Sequence, residues 1–587
     1  MKNFKKCFFI FIFSCFSFLF SDEILNNLNT SWSKVLPGKV ISEPVLTSYG
    51  FILITDAKLI SSYSNTGKLL WEKPLKRYRE AKLFTFPDDF ILLISENNKK
   101  LTLLNPSGYE IWTKQLDFSI NSVPLCGYDG RFFVKGNSEI ECIGISGLTK
   151  WNYKTQNLSK IPLQTLPDGS VIAFLQNLEN GKSKGIRLSP FGELLEEITF
   201  SGQIIKSSSC DDGIFLIFSD GSAGFFSLNK NNSQNKWVLQ TEKPSDLSQI
   251  EKTEFLVCPQ KNDSFYVIPY NNQVAFFKIS TKDGKIKNSF IIRNINGLEL
   301  TKLIYNENGI FISDNSKAFF YNDEGFELWS AKFPQKNRKN EWNYLIFNNE
   351  NYLTFCQTNW TLNSYRVSQN LNKNLKKQKN KNYNSFYEID TSKFDYIFKT
   401  KIEDDFASEK RIEQLQKGFY AKDEIIFVSE LMSACEVLKS ELNGSPKTNR
   451  KGQSVFEIDS IGTGFLLRQM SLFSTNAFES YEAIFLTKIQ NKSFLAELLK
   501  GIKNFGYDSE GKILSSLEQL ANKTNSREEK LIEDICDSVF SICKFMGKPA
   551  FNSKGKNILQ NFLFPNYSSN TRKYARETLK KISELEL

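Results

Sequence analysis

The sequence predicts a multidomain β + α protein: an eight-bladed β-propeller followed by an all-α domain. Three observations carry this prediction. A glycine turn leading into a tryptophan strand returns about every forty residues up to residue 329. Asp-Gly and Asn-Gly hairpin signals punctuate the same region, which shows no helical period. After about residue 400 the apolar residues switch to a helical spacing.

The chain begins with Lys2, Lys5 and Lys6 ahead of an apolar run, residues 7–20 (CFFIFIFSCFSFLF). That run has signal-peptide length and is short for a membrane span. Residues 1–21 are therefore expected to be a signal peptide, cleaved after Ser21, and the protein to be exported to the periplasm or envelope. The alternatives are an uncleaved anchor or lipidation at Cys15, although the apolar FSFLF after Cys15 is unlike a polar tether. No later stretch is long and apolar enough to span a bilayer.

The repeat is clearest in Ser64-Asn-Thr-Gly-Lys-Leu-Leu-Trp71, Asn105-Pro-Ser-Gly-Tyr-Glu-Ile-Trp112 and Asn322-Asp-Glu-Gly-Phe-Glu-Leu-Trp329. Gly67, Gly108 and Gly325 each precede Trp71, Trp112 and Trp329 by four, and Gly147 stands likewise before Trp151. Gly192 and Gly284 occupy similar turns, with Glu196 and Asn288 where a tryptophan is expected. Trp237 follows a polar turn without glycine, and Trp32 has the strand without the turn. The anchors 32, 71, 112, 151, 196, 237, 288 and 329 enclose seven repeats of several short strands each. Candidate strands Tyr344–Phe347, Tyr352–Phe355 and Trp360–Arg366 then lack a fourth, which the strand of Trp32 supplies. Joining the two chain ends in this way closes an eighth blade and removes an open edge.

This pattern of strand, turn, Thr-Gly-Lys and Trp resembles the pyrroloquinoline-quinone-type repeat, also WD40-like in layout, most plainly over Lys58–Trp71. Eight-bladed members of that family include quinoprotein dehydrogenases and the propeller lipoprotein of the outer-membrane β-barrel assembly machinery. The resemblance covers roughly residues 30–367, and residues 22–367 are expected to form the propeller. It implies a fold rather than an activity. The repeated glycines and tryptophans (Trp32, Gly67, Trp71, Gly108, Trp112, Gly147, Trp151, Trp237, Gly325, Trp329) are read as turn and inter-blade packing positions, not as a ligand site.

Residues 368–385 (SQNLNKNLKKQKNKNYNS) open a Lys/Asn-rich linker, 368–400. The helical domain is expected over 401–587. Within it, Phe494–Phe505 is a helix stopped by Gly506, and Asp508–Asn522 is a second. Ser526-Arg-Glu-Glu529 reads as a capping box for a third, which Gly547 and Pro549 stop, and Asn570–Leu587 is the last. Gly506–Leu514 and Asn570–Leu579 resemble HEAT-type repeats; an irregular helical bundle is the alternative.

Composition narrows the chemistry. The chain contains no histidine, which removes Ser-His-Asp and Cys-His nucleophiles, HExxH zinc sites and His-ligated haem. Its cysteines outside the leader are single and scattered, read as buried thiols rather than disulfides. Net charge is +10, or about +7 once the three leader lysines are removed, too mild for its length to argue for nucleic acid. Gly462-Thr-Gly464 makes a poor dinucleotide loop, and the paired carboxylates Asp211-Asp212 and Asp404-Asp405 read as solvated turns. The resemblance to quinoproteins brings pyrroloquinoline quinone and calcium into view. The sequence lacks their adjacent cysteines, and no residue set can be matched to their calcium ligands and base. No catalytic residue, metal or cofactor is therefore expected. The reading is a non-catalytic, protein-binding scaffold of the cell envelope, placed in outer-membrane protein assembly by fold analogy alone, with membrane association through a partner or lipid anchor. The alternatives are a quinoprotein dehydrogenase and a glycan- or peptidoglycan-binding propeller.

Overall fold

The computed structural model describes residues 26–367, apart from short loop stretches, and residues 478–585, with isolated positions between 435 and 471. The apolar leader, the Lys/Asn-rich stretch and both Asp-Asp pairs lie outside the described residues.

Eight sheets form the propeller, each with four antiparallel strands, and one of them gains a short fifth strand. Blades 1–7 span 45–74, 82–115, 125–154, 164–199, 204–238, 254–293 and 302–332 in chain order. Blade 8 takes three strands from 342–366 and its outer strand from the start of the chain, β2 (Asn29–Val35). β2 runs antiparallel to Thr361–Arg366, with Asn29 opposite Arg366 and Val35 opposite Thr361. The chain start adds one feature beyond that expectation. β1 (Asn26–Asn27) pairs parallel with the outer strand of blade 7, Asn26 beside Ala331. The first ten described residues therefore stitch blade 7 to blade 8, so closure is held on two sheets.

The inner strands are buried on both sides, because each blade is sandwiched between two others. Gly50–Thr55 is buried throughout, and so is Leu59–Ser64 apart from half-buried Leu59. The polar/apolar alternation of 58–63 in the sequence therefore does not mark an exposed face: Ser61 and Ser62 are fully buried. Exposed positions appear on outer strands such as Leu69–Pro74, where Leu69, Glu72 and Pro74 face solvent.

Every outer strand carries a bulge at one repeat position. Its extra residue is Ser31, Leu70, Ile111, Lys150, Leu195, Lys236, Lys287 or Leu328, in each case the residue before an anchor. A bulge sharpens the local twist and re-aims the following side chain. Its recurrence explains why the anchor series has a fixed place in each blade even where the tryptophan is missing.

One short helix, α1 (Leu247–Lys252), lies in the connector between blades 5 and 6. The C-terminal region contains α2 (Glu479–Lys488), α3 (Lys492–Phe505), α4 (Lys512–Lys523), α5 (Glu529–Met546), α6 (Pro549–Gln560) and α7 (Ser569–Glu584). Alternate helices stack: α2 on α4 on α6, and α3 on α5 on α7. The two layers have the build of a helical-repeat array. Asn491 caps α3 by accepting the Ser493 amide at 2.9 Å, and Gly506 ends it in the left-handed region.

Two details differ from the sequence expectation. The capping box at Ser526–Glu529 does not form. The side chain of Asn525 instead accepts the Arg527 amide at 3.0 Å, turning the chain one step earlier, and α5 starts at Glu529 with no side-chain cap. Pro549 does more than end α5, since it opens α6 at a first-turn position, where its missing N–H costs nothing.

Candidate interaction surface

In a four-stranded blade the first and third hairpins share one face of the ring, and the second hairpin shares the other with the inter-blade connectors. The face bearing the glycine turns is here called upper, the other lower.

The glycine turns form the latch between blades. A Cβ at Gly67 would lie 2.6 Å from the Trp32 ring, one at Gly108 2.8 Å from Trp71, and one at Gly147 2.6 Å from Trp112. Gly192 lies on Trp151 and Gly284 on Trp237 in the same way. Each tryptophan is thus clasped by the turn of the following blade. Hydrogen bonds fix the rings: Trp32 Nε1 donates to Asn65 O (3.1 Å), Trp71 to Pro106 O (2.9 Å), Trp151 to Pro190 O (2.8 Å) and Trp237 to Thr281 O (3.1 Å). Aromatic faces carry the packing, and the indole N–H satisfies a turn carbonyl.

Two of the three remaining anchors, Asn288 and Trp329, are instructive. Gly325 does not lie on the anchor Asn288; Phe290, two residues on, takes the ring position, 2.5 Å from a Cβ built there. Asn288 keeps the polar half of the job, its side-chain amide donating to Glu324 O at 3.2 Å. Trp329 packs within 6 Å of both Phe311 and Phe347, yet its buried Nε1 has no hydrogen-bond partner among the described residues. The blade that follows it is blade 8, whose third and fourth strands come from opposite ends of the chain. No continuous turn crosses there to offer a carbonyl.

The upper face over blades 1 and 2 is covered by the helical region. Phe545, at the end of α5, meets Tyr49 of the first blade 1 hairpin edge-on, with ring centroids 5.6 Å apart. Phe545 also belongs to the apolar cluster of Leu70, Trp71 and Leu104. Ser107 Oγ donates to Phe505 O, at the end of α3, at 3.4 Å. A second cluster runs without a break from Phe90, Leu92 and Phe132 into Leu499, Leu514 and Ile542. Consequently the Asn105–Ser107 turn is buried, whereas its blade 1 counterpart at Asn65–Gly67 remains open.

Pro106 O is the hub of this contact. It accepts both the Trp71 indole and the Tyr49 hydroxyl (2.6 Å), joining the blade latch to the residue that meets Phe545. Asp89 sits beside it, accepting the Ser48 amide at 2.8 Å and also the Ser48 hydroxyl. Burial pushes the Asp89 carboxyl above its ordinary range against the lowering effect of those bonds, and burial with the nearby Asp89 charge raises the Tyr49 phenol. Close by, Lys73 Nζ stands 3.4 Å from the centre of the Tyr109 ring, its ammonium lowered by burial to about 8.

The predicted repeat residues are thus gathered into latches spread around the ring, and they do not converge on one pocket. No set of three or more acidic or cysteine side chains placed to hold a metal occurs among the described residues. The cysteines described there are all free thiols. What the architecture presents instead is a rigid ring with one sector of its upper face occupied by the helical region. Sequence reasoning missed Tyr49, Asp89 and Phe545, which carry no local signature of their role.

Residues 56–301 match the model of the family PQQ_2, outer membrane protein assembly factor BamB. This stretch of the propeller carries the pyrroloquinoline-quinone-type repeat. Among solved structures, BamB from Moraxella catarrhalis is 15% identical, over 58% of this chain and 98% of that one, with a TM-score of 0.40. Sqt1 from Saccharomyces cerevisiae is 12% identical, over 59% and 100%, with a TM-score of 0.41. The computationally designed Ika8 protein is 12% identical, over 57% and 98%, with a TM-score of 0.42. No curated protein matches the chain.

Proposed function

We propose that this chain is a non-catalytic protein-binding scaffold of the cell envelope that serves outer-membrane protein assembly. The observation that carries the reading is the match of residues 56–301 to the family of assembly factor BamB. The architecture supports it. Repeat residues that could have formed a ligand site are spent on blade-to-blade packing. A helical array is fixed to one sector of the ring, so two broad surfaces are held in a set relation. Preorganised surfaces of this kind lower the ordering cost of binding. The apolar leader of residues 7–20 supports export.

The test is affinity capture from envelope extracts with the full chain as bait. The reading expects a discrete protein partner belonging to the machinery that inserts β-barrels. Recovery of no protein in stable, stoichiometric amount contradicts it. So does dye-linked alcohol oxidation after adding pyrroloquinoline quinone and calcium, which would restore the quinoprotein reading. Retention on purified sacculi without any protein partner would favour a glycan binder.

A further inference from the structure

Helix α6 opens without a cap. Lys548 stands at its N-cap position and offers no side-chain oxygen, and the first turn holds no acidic residue. Pro549 has no N–H to satisfy, but those of Ala550 and Phe551 find no acceptor among the described residues. The neighbouring helices fill that turn. Asn491 serves α3, Asp508 accepts the Leu514 amide of α4 at 2.8 Å, and Ser568 serves α7.

A second observation lies in the same turn. Asn552 is 1% exposed, and neither its Oδ1 nor its Nδ2 has a hydrogen-bond partner among the described residues. A buried amide left in that state is costly. The helix sets its direction. A Cβ on Gly555, one turn further on, would meet Cys543 and Val539 of α5, so Asn552 lies on the face turned to the last turn of α5. Side chains on a helix lean toward its N-terminus, which brings the amide over the open first turn. The corner between the helices has room, since no atom lies within 4 Å of a Cβ built on Gly547.

The electrostatic setting favours an anion. Residues 538–576, the end of α5, all of α6 and the start of α7, contain seven Lys or Arg and no Asp or Glu. Lys548 is exposed and forms no ion pair among the described residues. Half-buried Lys544, in the last turn of α5, forms none either, and burial lowers its ammonium. Helix α4 brings carboxylates near, because a Cβ on Gly511 would stand 3.9 Å from the Phe551 ring. They are engaged: Glu510 pairs with Lys512 at 2.7 Å, and Asp508 holds the Ile513 and Leu514 amides. A helix N-terminus in such a field attracts negative charge. The two vacant atoms of Asn552 narrow the choice of anion. Nδ2 needs an acceptor and Oδ1 needs a donor. A carboxylate or sulfate offers only acceptors at neutral pH, whereas a phosphate group that keeps one P–OH offers both.

We infer that the corner of α5 and α6 is a phosphate site, formed by the Ala550 and Phe551 amides, the Asn552 side chain and Lys548. It lies two residues beyond Phe545, whose ring seats the helical region on Tyr49.

The test uses the full chain and inorganic phosphate, with sulfate at equal ionic strength as the comparison. Titration calorimetry should show saturable phosphate binding, with sulfate about ten-fold weaker or more. Asn552→Leu and Lys548→Glu should each weaken phosphate binding by about ten-fold. Lys548 is exposed, so its variant keeps the test standing if Asn552→Leu does not fold. Three results overturn the inference: no saturable phosphate binding, equal binding of sulfate, or undiminished binding by either folded variant. Vesicles of phosphatidylcholine with phosphatidic acid then separate the sources, the leader being common to both proteins compared. Vesicle binding that Lys548→Glu weakens assigns a lipid phosphomonoester; vesicle binding equal to wild type, with phosphate binding lost, assigns a soluble phosphate.

Discussion

Gly108→Ala tests the latch directly. Gly108 sits at φ +73°, where a side chain costs about 1 kcal/mol. Its new Cβ would meet the Trp71 ring at 2.8–2.9 Å, so the indole must move. Trp71 is packed with Leu70 and Leu104, and overpacking of that kind costs about 1–3 kcal/mol. Moving the ring also strains its 2.9 Å bond to Pro106 O, worth about 1 kcal/mol. The sum is about 3 kcal/mol or more, a fall of roughly 4 °C for a domain of this size. Gly547→Ala is the control: it shares a positive φ (+58°) but has no atom within 4 Å of its built Cβ. It should cost only about 1 kcal/mol, the backbone term alone. All eight tryptophans lie at or before residue 360, so their emission during guanidinium unfolding reports the propeller and not the helices. Far-ultraviolet circular dichroism follows the control. If Gly108→Ala costs no more than Gly547→Ala, the latch is not a source of stability and the reasoning fails.

Trp71→Phe should keep the ring face but lose the bond to Pro106 O, costing about 1 kcal/mol in the same fluorescence titration. Asp89→Asn should leave stability equal or higher at neutral pH. A carboxyl whose folded pKa is raised favours the fold below its unfolded pKa and loses that contribution as pH rises through the folded value, so any advantage of the variant should vanish in acid thermal melts. Phe545→Ala should cost about 3 kcal/mol in the helical region and separate its melting from that of the propeller in calorimetry; one unchanged cooperative transition would show that the Tyr49 contact does not couple them.

Much of the ring was legible because its repeat unit is physical. A bulge precedes every anchor, and a glycine with positive φ follows the third strand in most blades, so both leave marks at fixed spacing. Blade 8 was legible because Trp32 was an anchor without a turn. Where the job is divided between two residues, as with Asn288 and Phe290, spacing points only to one of them. β1 escaped notice because two asparagines pairing through their backbones have no apolar signature. Helix α2 was hidden because its buried positions include Glu479 and Glu482, which blur the polar/apolar pattern. The seating of the helices on the propeller was illegible for a different reason. Phe545 continues the apolar stripe of α5, and a residue bound for another domain looks in sequence like one bound for its own core.

The scaffold claim is met most directly by photo-crosslinking in living cells. A photoreactive residue is placed singly at Val123 and Val238, exposed positions of the propeller, and at buried Leu53 as a control. The account predicts discrete adducts with envelope proteins of the β-barrel insertion machinery at one or both exposed positions and none at Leu53. Exposed positions that give no protein adduct in a correctly exported, folded chain would contradict it.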